Sequence, residues 1–291
     1  MSKNGLLFAL FAAFISGLSV FVNGIGVNLA DPILFSAIKN SAALLLITSS
    51  ILIFKEFNQF KTLSNKQLLT LILIGIIGGS VPFILFFSGL KMGGAIISSF
   101  IFRSLFIFCG IFGYFILKET PSTNELLGAL LIFCANAFLI SGELVFGLPQ
   151  TLVLLATIFW ALEYTISRKI LAELNPRIII FFRMFFGSII LFAFSFFNGP
   201  IQSIPTEAFP WIVLTSILLF GFLSTWYLAL KHLTFFSATS ILTIGGLVSA
   251  FLNFAFLNKI PTQIELLSLF FLLVGVIFVS GIYGFRKELI N

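Results

Sequence analysis

The sequence predicts an all-α integral membrane protein, with ten transmembrane helices arranged as two inverted five-helix repeats. Three observations lead there. The 291 residues are 59% hydrophobic and only 9% charged, with mean hydropathy +1.18 and 41 phenylalanines; a water-soluble chain has no interior large enough for that apolar surplus, whereas lipid accepts it. The apolar runs are continuous rather than alternating, which excludes a β-barrel. The chain also repeats itself at nearly constant offsets.

Ten apolar spans can be placed, at 5–27, 33–54, 67–89, 94–117, 123–141, 148–171, 178–198, 209–230, 235–257 and 263–284. Each holds about 20 residues, enough to cross roughly 30 Å of hydrocarbon. The first is too long, and its start too weakly basic, for a signal peptide. Helix breakers mark the connections: Asp31-Pro32 before the second span, Asn58 after it, Pro121 before the fifth, Pro149 at the sixth, Asn175-Pro176 before the seventh, Asn198-Gly199-Pro200 and Pro205 before the eighth, and Pro261 before the tenth. Gly75, Gly78, Gly79 and Pro82 interrupt the third span, and Gly245-Gly246 interrupts the ninth. Cys109 and Cys134 fall inside apolar spans and read as packing thiols.

Orientation follows from Lys and Arg. With the N-terminus in the cytoplasm, the cytoplasmic segments hold Lys3, Lys55, Lys61, Lys66, Lys118, Arg168, Lys169, Arg177, Lys231, Arg286 and Lys287, and the outer segments hold only Lys91 and Lys259. That asymmetry puts both termini in the cytoplasm, of a plasma (inner) membrane. The net charge of +6 is thus sorted by side and does not point to nucleic acid.

A shift of 144 lays Pro32 on Pro176 and Lys39 on Arg183. A shift of 140 lays Leu90-Lys91 on Leu230-Lys231, Pro121 on Pro261 and Glu125-Leu126-Leu127 on Glu265-Leu266-Leu267. The repeats are expected over residues 5–141 and 148–284. Five spans per half is an odd number, so the second half enters the membrane the opposite way up, a common plan for secondary transporters.

Glu163 is the acidic residue placed deep in a span. A carboxylate at that depth costs about 2.5–3.5 kcal/mol on insertion scales, so the fold must pair it, protonate it or use it. Trp160, Glu163, Tyr164 and Ser167 share one helical face. Arg103, near the middle of the fourth span, matches Glu163 in depth. It either pairs with Glu163 or holds a substrate carboxylate or phosphate. Ser19 and Asn23, with Ser16, form the equivalent polar face of the first span. These residues make up the expected binding site. Lys39 and Arg183 lie one to two turns inside their spans on opposite sides of the membrane, where they either snorkel to the interface or gate each mouth. Trp226 and Tyr227 are further candidates for a cavity wall. His232, the one histidine, is expected to be solvated in a loop. No metal-ligand cluster and no phosphate-cradling loop is present, so no cofactor is expected and an ATP-driven pump is disfavoured.

Taken together, the ten spans, the basic residue just inside the second span of each half, and Lys118-Glu119-Thr120-Pro121 closing the fourth span with Gly128 following resemble the EamA family of the drug/metabolite transporter superfamily. The second half carries Asn258-Lys259-Ile260-Pro261 where the first has that acidic motif. The resemblance implies export or exchange of small metabolites by alternating access, through a central cavity lined by helices 1, 3, 4, 6, 8 and 9. The expected partners are a small-molecule substrate, amino-acid-like or otherwise anionic or zwitterionic, the lipid bilayer and a coupling proton, with no nucleic acid. An integral-membrane enzyme, or a channel or scaffold without a gated site, are the competing readings.

Overall fold

The structure, a computed structural model, describes residues 2–94, 98, 101–139, 147–198, 203–257 and 262–280. Lys259, Pro261, Arg286 and Lys287, used above for orientation and repeat, lie outside the described residues, as do the ends of several predicted spans. The described residues form α1 (Lys3–Gly26), α2 (Pro32–Ile53), α3 (Asn65–Gly79), α4 (Val81–Gly93), α5 (Leu105–Phe112), α6 (Thr123–Leu139), α7 (Leu148–Ile170), α8 (Pro176–Phe197), α9 (Phe209–His232), α10 (Phe235–Leu242), α11 (Gly245–Leu257) and α12 (Gln263–Ser280). Seven segments are long and apolar enough to cross a membrane: α1, α2, α3 with α4, α7, α8, the stretch ending in α9, and α10 with α11. Three shorter apolar helices, Ile101–Leu117, Thr123–Ala135 and Leu266–Val279, lie in the remaining predicted ranges. Outward faces carry residues such as Leu45, Phe115 and Phe197, exposed as lipid-facing side chains are.

The breakers read in the sequence act as caps. Asp31 Oδ1 accepts from the N–H groups of Ile33 and Leu34, with Pro32 opening α2. Asn175 Oδ1 accepts from Arg177 N, with Pro176 opening α8. Both are an N-cap followed by a proline whose missing N–H would have been an orphan there anyway. The two caps start α2 and α8 alike, and Lys39 and Arg183 each fall seven residues beyond the proline, about 10 Å down the helix. Ser64 with Gln67 caps α3, and Ser122 with Glu125 caps α6, each in a reciprocal box.

The third predicted span is two helices rather than one. The break falls at Ser80 (φ −130°, ψ −70°). Pro82 has no N–H to offer the Gly78 carbonyl four residues back, and Trp160 Nε1 donates to that oxygen instead, at 3.1 Å. Asn40 Nδ2 donates to the Gly79 carbonyl at 3.0 Å. Gly78 and Gly79 also set the approach of α7 and α8. A Cβ on Gly78 would sit 2.3 Å from Glu163 Cγ, and one on Gly79 would sit 2.1 Å from the Arg183 carbonyl oxygen.

Helix contacts come in matched sets. α1 packs on α9 and on α10 and α11, while α7 packs on α3 and α4 and on α5. α2 touches α9 as α8 touches α3, and α2–α8 and α6–α12 join the two sets.

Candidate functional site

Glu163 is fully buried on α7, and its oxygens are taken by protein. Ser167, one turn on, donates to Oε1 at 2.5 Å, Tyr227 on α9 donates to Oε1 at 2.6 Å, and Arg183 Nε on α8 donates to Oε2 at 3.3 Å. Gly78 closes the remaining side. The sequence allowed Arg103 as the partner; the structure pairs Glu163 with Arg183, which α8 brings alongside α7. Removing one member of such a pair costs about 3–5 kcal/mol, because the other is left charged and buried.

A cavity lies beside this pair. Its walls include Ser16, Ser19 and Asn23 from α1, Lys39 from α2, Phe83, Phe86 and Phe87 from α4, Trp160 and Tyr164 from α7, Arg183 from α8, and Leu219 and Phe222 from α9, with Phe102 between α4 and α5. Lys39 and Arg183 were expected at opposite mouths. Both instead line this one chamber, 2% and 1% exposed, on helices α2 and α8 that pack on each other. The second and seventh predicted spans, α2 and α8, therefore contribute to the wall, which the resemblance does not imply.

Lys39 Nζ donates to Asn23 Oδ1 at 3.2 Å, and Asn23 in turn donates to Ser19 Oγ at 3.0 Å. The ammonium sits 3.8 Å from the ring centroid of Phe87 and 5.1 Å from that of Phe83. A desolvated cation–π contact is worth about 2 kcal/mol. Among the described residues no carboxylate forms an ion pair with Lys39. Under the shift of 144, Ser19, Asn23 and Lys39 correspond to Glu163, Ser167 and Arg183. The same three positions are hydrogen-bonded in each half, but Lys39 bonds Asn23 whereas Arg183 bonds Glu163, the counterpart of Ser19, and only the second set contains an acid. Arg183 Nη1 has no hydrogen-bond partner, and its guanidinium lies 5.9 Å from the Phe83 ring, on which Lys39 also sits.

Trp160 stands at the centre of the aromatic wall, with Phe86, Phe102 and Phe83 at 5.2, 5.4 and 5.6 Å between centroids. Ser167 and Glu163 lie behind the wall, not on it. Arg103 is apart from them: it donates to the Gly246 carbonyl at 3.0 Å and lines a smaller adjoining pocket with Ser16, Thr239 and Thr243. Tyr227, expected in the wall, serves Glu163. The phenylalanines of α4 went unread in the sequence, since 41 phenylalanines carry no positional signal by themselves. His232 ends α9, exposed and stacked 6.2 Å from Phe8. No metal-holding group of His, Cys, Asp and Glu occurs among the described residues.

A belt of polar contacts crosses the segments assigned to the cytoplasmic side. Arg168 reaches Glu119 at 3.4 Å and the Leu230 carbonyl at 2.5 Å, and Glu119 accepts from Phe235 N at 2.7 Å. Arg177 pairs with Glu56 at 2.6 Å, and Gln67 donates to Glu173 at 2.8 Å.

The family model described as "EamA-like transporter family" matches residues 3–141 and again residues 148–281. A solved structure described only as "Crystal structure of protein" matches with TM-score 0.78 at 12% identity, over 96% of this chain and 98% of its own, a likeness of fold. No curated protein matches at a significant level.

Proposed function

The chain belongs to the EamA-like transporter family, and from that premise we propose that it is a secondary active transporter, an exporter or exchanger, moving a small polar metabolite by alternating access. Membership of a transporter family fits an integral membrane protein with a small-molecule substrate and does not suggest an enzyme. In this reading all ten helical segments cross the bilayer, residues 5–141 and 148–284 form two five-helix units of opposite orientation, and both termini face the cytoplasm of a plasma membrane. The matched helix contacts support that plan.

One observation carries the proposal: the chamber between the two sets of helices presents Lys39 and Arg183, two buried basic side chains against the one sequestered carboxyl group of Glu163. That balance favours an anionic or zwitterionic solute. A coupling proton is part of the proposal. Arg103, in the adjoining pocket, serves as a second contact along the route.

The test is counterflow in proteoliposomes loaded with a metabolite mixture. Saturable uptake is expected, falling at least about tenfold in Lys39→Met and in Arg183→Met, the loss of one charge-assisted contact each. Flux that rises linearly with concentration, or flux indifferent to both substitutions, would mean that the chamber is not the transport site.

A further inference from the structure

We propose that the chamber takes a monoanionic solute with an apolar ring, a small aryl carboxylate, and has no subsite for an amine. The proposal rests on the carrier reading above and sharpens it.

The walls divide by chemistry. Phe83, Phe86, Phe87, Phe102 and Trp160 make one continuous aromatic lining, and Phe222 adds a further ring to the wall. Polar atoms are confined to Ser16, Ser19, Asn23, Lys39, Tyr164 and Arg183. A zwitterion needs an acceptor for its ammonium group. The carboxylate nearest to hand, Glu163, is 0% exposed, is saturated by Ser167, Tyr227 and Arg183, and is not in the wall. Asn23 Oδ1 already receives Lys39. An incoming ammonium would therefore meet two basic side chains and, among the described residues, no free acid.

A carboxylate meets the opposite situation. Lys39 has no acidic partner among the described residues, and Arg183 keeps an unused Nη1 donor. Ammonium and guanidinium both lie against Phe83, so an anion held by either places its apolar body on the aromatic lining.

Purified full-length protein in detergent is titrated with 3-phenylpropanoate, phenylalanine, 2-phenylethylamine and methyl 3-phenylpropanoate, four probes sharing one ring. Binding is read by calorimetry and by thermal shift. The acid is expected to bind and raise the melting temperature, phenylalanine to bind at least about tenfold more weakly, and the amine and the ester not at all. Lys39→Gln is expected to weaken the acid at least about tenfold, and Lys39→Arg to keep it within about threefold. Should Lys39→Gln fail to fold, the ester, which removes the charge from the ligand instead, decides the same point. The assignment is overturned if the acid does not bind, if phenylalanine, the amine or the ester binds as tightly, or if folded Lys39→Gln retains full affinity. Counterflow separates the two levels. Saturable carriage of a zwitterion or cation overturns this assignment and leaves the carrier standing; acid binding with no flux of any solute does the reverse.

Discussion

Glu163 is enclosed by a set of protein contacts, so a substitution there tests structure before it tests transport. Glu163→Gln retains an acceptor for Tyr227 and Ser167 but leaves the Arg183 guanidinium buried without a countercharge. It is expected to lower stability in detergent by about 3–5 kcal/mol. Arg183→Met alone strands the carboxylate at similar cost. The pair made together is expected to be less harmful than the sum of the two, a coupling that a double-mutant cycle of thermal unfolding measures; simple additivity would mean that the ion pair is not real. The helical spacing in the sequence put Ser167 on the same face as Glu163, because residues four apart are neighbours there. It did not show Arg183. Depth in the membrane is legible from distance to a span's end, and by that measure Arg103 was as good a partner. Which face of a neighbouring helix turns toward Glu163 depends on packing, which one chain read in order does not contain.

Among the elements, the broken third span governs how closely the interior closes. Pro82 frees the Gly78 carbonyl, Trp160 takes it, and the two glycines let α7 and α8 come against the break. Gly78→Ala would drive a Cβ into the fixed side chain of Glu163, an overpacking worth about 1–3 kcal/mol. Gly79→Ala meets backbone at Arg183, which has less freedom to yield, and is expected to be the worse of the two. Thermal stability of each variant in one detergent checks both the direction and the order. The glycines and the proline were legible as an interruption, and the caps at Asp31 and Asn175 were legible as helix starts. Their purpose was not. A small residue in a membrane helix reads the same whether it allows a bend or an approach, and only the neighbouring side chain distinguishes the two. For the same reason Lys39 and Arg183 were placed at mouths: the sequence gives their distance from the helix end, while the helices beside them decide whether they can leave.

At the scale of the molecule, the polar belt joins the helix ends expected to lie on the cytoplasmic side. Its ion pairs are partly exposed, with side chains 17–31% accessible, and each is worth about 0.5–1 kcal/mol. On the alternating-access reading, Glu119→Gln is expected to shift the balance toward a form open on that side by roughly two- to fivefold. The measurement is labelling of Ser16→Cys, in a Cys109→Ala/Cys134→Ala background, by an impermeant thiol reagent applied from the cytoplasmic face. A rate unchanged by Glu119→Gln would assign the belt to static support. The doubling of the chain was visible in a handful of matched prolines, basic residues and a Glu-Leu-Leu run, whereas the interlocking of the two sets was not. The helices at the start of each set lie against the third and fourth spans of the other, and the chamber takes Ser19 and Lys39 from one and Trp160 and Arg183 from the other. Neither portion is a vessel by itself. A chain holding one portion alone would supply only a fragment of wall, useful solely in company with a second copy.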